Sequence, residues 1–133
     1  MQNPNAPAVS GLPRLILRLE GGALLLAALY AYWLTGQNWW LFAILFLVPD
    51  VSFAAYLVNP RVGAFTYNIL HSTVGPLALA TASLIFAQQT ALTIALIWLA
   101  HAGFDRLLGY GLKYPTAFTD THLGRIGKSS QAS

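Results

Sequence analysis

Four runs of mostly apolar residues, joined by connections as short as TGQN, NPR and QQT, make up most of this 133-residue chain. A bilayer core about 30 Å thick is crossed by ~20 helical residues. The runs from about Leu15 to Leu34, Trp39 to Val58, Val62 to Ala87 and Ala91 to Leu108 approach or reach that length. Short connections make neighbouring helices antiparallel. The expected fold is therefore all-α: an integral membrane up-down four-helix bundle, with an irregular cytoplasmic C-terminal segment. Its parts are a flexible tail over 1–12, a transmembrane domain over 13–108 and the C-terminal segment over 109–133. Pro49-Asp50 interrupts the second span, and a kink is expected at Gly75-Pro76 in the third.

Composition supports a membrane over water. Hydrophobic residues are 56% of the chain and charged residues 8%, where soluble domains carry about a quarter. A soluble helical core would need polar helix faces, which these runs lack. The formal charge of +3 is spread over scattered residues, so nucleic acid is not an expected partner. With no cysteine, disulfides and thiolate metal sites are excluded. The opening MQNPNAPAVSGL reads as a polar tail and not as a cleaved signal peptide.

Charge also orients the bundle. Arg14 and Arg18 flank span one, Arg61 lies in the second connection, and Arg106, Lys113, Arg125 and Lys128 end or follow span four. In a four-span chain all these places fall on one side. The positive-inside rule makes that side cytoplasmic, with both termini inside. Trp39 and Trp40 stand where an outer aromatic belt belongs.

Ionisable residues within the spans carry the functional signal. Counting about 1.5 Å per residue from the cytoplasmic ends places Glu20 ~10 Å deep, Asp50 ~13 Å, His71 ~15 Å and His101 ~12 Å, with Asp105 nearer the interface. A charge within the bilayer costs a few kcal/mol at least, so such groups face the bundle interior and pair. His101 and Asp105 are four apart and share a helix face. Tyr67 and Asn68 are helical neighbours of His71, and Pro49 frees a backbone carbonyl near Asp50. Two imidazoles with two or three carboxylates suit a divalent metal, zinc above all, which can activate water. A spare carboxylate, Glu20 or Asp50, would be the general base. Other chemistries use the same residues: haem or quinone binding through His71 and His101, a proton relay, or a polar layer that only fixes helix packing in a non-catalytic subunit. Local pairing is the plainer account of two of them, Asp105 with Arg106 and Glu20 with Arg18 or Arg14.

After span four, GYGLKYPTAFTDTHLGRIGK is rich in glycine and aromatics. Tyr114-Pro115 argues against continued helix. Asp120, His122 and Arg125 are its polar features. The segment is expected either to cap the bundle or to act as a flap, with Lys113 and Arg125 gripping lipid phosphate. SSQAS at the end is expected to be disordered.

The stretches LRLEGGALLL, WWLFAILFLVPD, NPRVGAFTYNILH and HAGFDRLLGYGLKYPTAFTDTHLGRIG resemble domain-of-unknown-function family 4260, over about residues 14 to 127. The resemblance implies a small bacterial inner-membrane protein of four spans and carries no activity. A weaker likeness is to membrane-bound metal-dependent hydrolases of the YdjM type, which have Pro-Asp, His-Ser and HxxxD followed by Tyr-Gly in this order. Here these are Pro49-Asp50, His71-Ser72, and His101 with Asp105 before Tyr110-Gly111. That likeness implies Asp50, His71, His101 and Asp105 as metal ligands, and a reaction of metal-assisted hydrolysis on a lipid or other amphiphile. Ser52 stands where that group has a second acidic residue, and Tyr67-Asn68 where it has His-Arg, so fewer ligands remain than a two-metal site uses.

Overall fold

The computed structural model describes residues 8–112 and 120–125. Five α-helices and a 3₁₀ helix fill the four spans: α1 (Gly11–Thr35), α2 (Trp39–Leu45), the 3₁₀ helix (Val48–Leu57), α3 (Pro60–His71), α4 (Val74–Ile85) and α5 (Gln89–Leu108). A two-stranded antiparallel ladder follows, β1 (Asp120–Thr121) with β2 (Gly124–Arg125). The segments Gly11–Thr35, Trp39–Leu57, Pro60–Ile85 and Gln89–Leu108 are each long and apolar enough to cross a membrane. Large apolar side chains point outward throughout, among them Leu26, Leu57, Val74 and Phe86. A bilayer satisfies that surface and water does not. The chain is an α-helical membrane protein.

Each interruption has a chemical cause. The second span changes at Pro49, which has no N–H to give and whose ring crowds the preceding turn. Beyond it the backbone bonds tighten to i, i+3, as in Asp50 N–H to Leu47 C=O at 3.1 Å and Val58 N–H to Ala55 C=O at 3.1 Å. In the third span the break falls at Ser72-Thr73, three residues ahead of the Gly75-Pro76 expected from sequence. Pro76 acts four residues back: its missing N–H and its ring both bear on the Ser72 carbonyl. Ser72 Oγ then accepts from Val74 N–H at 3.1 Å and starts the new helix. Asn38 and Asn59 cap α2 and α3 by accepting from Trp40 N–H at 2.7 Å and Val62 N–H at 2.8 Å.

Helix α5 is the hub. Half of its most apolar window is buried, against about a sixth or less in the other spans. Its longest contact is with α1, and α4 packs on it as well, while the 3₁₀ helix packs mainly on α3. The α1–α5 crossing is close because both helices lack a side chain there. A Cβ on Gly21 would lie 2.3 Å from Arg106 Cβ, and one on Gly103 would lie 2.6 Å from the Gly21 carbonyl oxygen. Small residues of this kind let membrane helices approach backbone to backbone. Gly103 is separated from His101 and from Asp105 by two positions, or about 200° around the helix. The face of α5 that meets α1 is therefore opposite the face that carries His101 and Asp105.

At the other edge of α5, Gly109 adopts φ 93° and ends the helix, a conformation that favours glycine. The ladder is tied in here. Val9 N–H donates to the His122 carbonyl at 2.7 Å, His122 N–H donates to the Leu112 carbonyl at 3.0 Å, and Arg14 Nε donates to the Leu123 carbonyl. Leu123 and Thr121 are fully buried. The ladder thus covers the end of the bundle where α1 begins and α5 stops. Residues 1–7 of the expected 1–12 tail, Lys113, Tyr114-Pro115, Lys128 and the final SSQAS lie outside the described residues, and α1 already begins at Gly11 within that tail.

Candidate metal centre

Four of the five residues expected to form a site meet in one place. Asp50 comes from the first turn of the 3₁₀ helix, His71 from the last residue of α3, and His101 and Asp105 from successive turns of α5. His71 and His101 are 2% exposed. One ligand atom from each of the four lies within 4.8 Å of all the others. The individual separations are more telling. His71 Nε2 and His101 Nε2 are 3.1 Å apart. Asp50 Oδ1 is 3.3 Å from His71 Nε2 and 3.2 Å from His101 Nε2. Asp105 Oδ2 is 3.4 Å from His71 Nε2 and 3.3 Å from His101 Nε2.

Hydrogen bonding alone does not account for this arrangement. His71 Nδ1 lies 3.0 Å from the Tyr67 carbonyl oxygen, which can only accept, so the proton sits on Nδ1. A neutral His71 then presents a lone pair at Nε2. That lone pair faces two carboxylate oxygens, which are acceptors as well. The one proton His101 Nε2 can carry satisfies one of these contacts and leaves acceptors opposed in the rest. Protonating both rings sets two N–H groups against each other across 3.1 Å. A cation at the centre satisfies all four atoms together. Five of the six separations are 3.1–3.4 Å, and all four atoms lie within 4.8 Å of one another. A central cation would therefore lie roughly 1.9–2.4 Å from the four atoms, a span that covers divalent-metal bonds to imidazole nitrogen and carboxylate oxygen. The four residues could hold a metal ion.

The same distances argue against haem. Two axial imidazoles stand on opposite faces of the macrocycle, roughly two metal–nitrogen bonds or ~4 Å apart. Here the Nε2 atoms are closer than that, and the two carboxylate oxygens occupy the space a porphyrin would need.

Neighbours hold the rings in place. Tyr67 stacks on His71 with ring centroids 3.7 Å apart and 6° between planes, besides fixing its tautomer through the carbonyl. Phe46 stands edge-on to His101 at 4.8 Å. Trp98 donates its indole N–H to the Leu70 carbonyl at 2.6 Å, bracing the residue before His71. His101 Nδ1 is buried and has no hydrogen-bond partner among the described residues. From sequence Tyr67 stands out only as a helical neighbour of His71, while Phe46 and Trp98 look like ordinary lipid-facing aromatics. Only the tertiary packing distinguishes them.

Glu20 is not brought to the centre. Its side chain is exposed on α1. In that turn Gly21 is the residue turned toward α5, which leaves the adjacent position about 100° away. Moreover, α1 meets α5 on the face opposite His101 and Asp105. Among the described residues, the local ion pairs expected from sequence do not form either. Arg18 Nε donates to the Leu107 carbonyl at 2.9 Å, and Arg14 to Leu123. Asp105 turns to the histidines, and no ion pair joins it to Arg106 among the described residues. These arginines are instead used at the interface end of the bundle. His122 lies beside them, accepting from Leu112 N–H at 2.9 Å through Nδ1. Burial, reinforced by the Arg106 cation, pushes the His122 imidazole below its ordinary range.

A family model described as a domain of unknown function (DUF4260) matches residues 14–126. The chain belongs to that family. No curated protein and no solved structure matches it.

Proposed function

We propose that this member of the DUF4260 family is a membrane-embedded metalloprotein. Its centre binds one divalent cation, zinc by donor set, through Asp50, His71, His101 and Asp105. The five nitrogen and oxygen separations of 3.1–3.4 Å carry this reading. The setting is the bacterial inner membrane, with both termini and the arginine-rich end on the cytoplasmic side.

We further infer a metal-assisted hydrolysis of a lipid or other amphiphile. A divalent ion there supplies Lewis acidity and brings the pKa of a coordinated water near 7. The protein's own ligands divide into two kinds. His71, His101 and Asp105 sit on regular α-helices and are buried or nearly so, whereas the Asp50 side chain is 39% exposed and rides on the 3₁₀ helix. Catalytic zinc sites hold three protein ligands and an open position. With the ion held by His71, His101 and Asp105, the outward-turned Asp50 would be the carboxylate that takes a proton from the attacking water as its oxygen bonds to the acyl or phosphoryl centre, and that returns the proton to the leaving oxygen as its bond breaks. Held as a fourth ligand, Asp50 would close the site instead. His71, with Nδ1–H held by the Tyr67 carbonyl, keeps Nε2 aimed at the centre throughout. A closed, purely structural site is the second reading, favoured by the four-ligand count.

The deciding experiment measures metal by mass spectrometry in protein purified in mild detergent, beside a His71→Ala/His101→Ala double variant and Asp50→Asn. About one zinc per chain, absent from a folded double variant, supports the centre. No metal in the wild type after supplementation with zinc, manganese and iron refutes it. Asp50→Asn that keeps its metal and its melting temperature favours the hydrolytic reading, and one that loses both favours the structural one.

A further inference from the structure

An apolar groove of about 230 Å³ is lined by residues that neighbour the candidate ligands along the chain. Val48 and Pro49 form one wall, Leu70 the floor, and Ile94, Ile97 and Trp98 the wall on α5. Each wall leads to a ligand. Pro49 precedes Asp50, Leu70 precedes His71, and Ile97 lies one helical turn before His101 on the same face of α5. The lining offers almost no polar surface, so it suits a hydrocarbon chain and not a head group.

The order of features along α5 gives the groove a direction. Ile94 and Ile97 come first, then His101 and Asp105, then Arg106. The whole sequence spans ~18 Å of helix axis. Arg14 and Arg18 join the same end, where they hold the Leu123 and Leu107 carbonyls. Apolar groove, metal centre and cationic end thus follow one another from the bilayer middle to its interface. A single-chain amphiphile in that leaflet has the same polarity. The outer surface around the groove is lipid-facing, Val48 and Ile94 included, so a chain enters sideways from the bilayer without crossing water.

We propose that this groove seats the alkyl chain of an amphiphile whose polar end lies on the metal centre. This rests on the metal-centre reading above. The chain positions the bond next to its polar end at the ligands, and the residues that line the groove set the preferred chain length.

Alkyl hydroxamates test this directly, because the hydroxamate head chelates metal while the tail length varies. Binding of acetohydroxamate and of its butyl, hexyl, octyl and decyl homologues is titrated against cobalt-substituted protein, read by the visible cobalt spectrum. The wild type is compared with Ile94→Trp and with Val48→Trp, which block the groove from opposite walls at partly exposed positions. Both variants and the wild type share one detergent, so partition of the tail into micelles cancels. A tail passing from micellar hydrocarbon into the groove gains packing and not the full transfer energy, so the variants act by collision. A tryptophan in the groove overpacks against a seated tail and weakens octyl hydroxamate roughly fivefold or more in each variant, while acetohydroxamate binds all three proteins alike. Equal chain-length dependence in all three proteins, with cobalt bound, overturns the groove and leaves the metal centre standing. Failure of the wild type to bind cobalt overturns both. Weakening of acetohydroxamate to the same extent as octyl hydroxamate also overturns the groove, because it shows damage to the centre and not to a chain site.

Discussion

Replacing His101 with alanine is expected to weaken zinc binding by two to three orders of magnitude while leaving the helices in place. Structural sites in zinc-finger peptides bind zinc with ~10–16 kcal/mol at neutral pH, an upper guide for a site without thiolates. The edges around His101 Nε2 are 3.1, 3.2 and 3.3 Å, so it sits as close to the centre as any partner and carries about a quarter of that energy. A share of ~3–4 kcal/mol corresponds to two to three decades in affinity. The helix should survive, because α5 holds α1 through the opposite face at Gly103. Competition against a chromophoric chelator gives the affinities, circular dichroism the helix content, and X-ray absorption at the zinc edge the geometry. The wild type should show four nitrogen or oxygen neighbours at ~2.0 Å, and no sulfur, since the chain has no cysteine. A variant affinity within threefold of wild type would refute the tetrahedral assignment. So would a wild-type shell of six oxygens.

Two further outcomes follow from other parts of the fold. Gly103→Leu should lower the melting temperature in detergent and cost about 1–3 kcal/mol or more through overpacking, since even a Cβ there meets the Gly21 carbonyl oxygen at 2.6 Å. An unchanged melting temperature would mean that α1 and α5 do not cross closely at these glycines. Acid should loosen the terminal ladder. His122 binds its proton less readily when folded, because of burial and Arg106, so the unfolded ladder takes up more protons. The stability it lends is complete above the unfolded value of ~6.5 and is lost as pH falls below that toward the depressed folded value. Hydrogen exchange at the Val9 amide, which bonds the His122 carbonyl, should accelerate more between pH 7 and 5.5 in wild type than in His122→Gln, after correction for intrinsic exchange. Parallel profiles would show that His122 does not control the ladder.

How much of this was legible in the sequence depends on the range of the interaction. The spans follow from apolar length alone, a local property, and the short connections allow few topologies. The shared face of His101 and Asp105 follows from helical periodicity. The convergence of Asp50 and His71 on that face was suggested by a common depth, which fixes height in the bilayer but not rotation about the helix axis. Glu20 illustrates the difference. It lies at a comparable depth, yet the backbone contact between Gly21 and Gly103 turns it outward. A rotation of that kind is set by the packing partner of α1 and has no signature at position 20. The third span shows the same limit along the chain. Pro76 announces a break, but its effect falls at Ser72, which leaves His71 as the last residue of α3 and free of a following turn. The polar roles of Tyr67 and Trp98, one holding a ring and one a carbonyl, rest on contacts across the bundle or on a backbone atom, and side-chain identity does not encode them.

The placement of the ligands gives the centre a mechanical meaning as well as a chemical one. The bundle is packed unevenly. Helix α1 lies along α5, and the 3₁₀ helix lies along α3, whereas direct contact of α5 with α2 and α3 is sparse. Asp50 and His71 belong to the second of these pairs, His101 and Asp105 to the first. The ion-sized centre therefore lies at the seam between these two pairs, which are otherwise linked by α4 on α5 and by Phe42 and Phe46 against the Ala28, Leu99 and Ala100 cluster. In lipid, burying apolar surface gives little drive for such a seam to close, since the hydrocarbon outside is equivalent to the side chains within. A cation held by the four side chains, as proposed, would add closure there. Asp50, the most exposed of the four, stands at the edge of the seam beside the apolar groove. The same geometry that sets the ligands across the seam also leaves one ligand able to move and one path open to the bilayer.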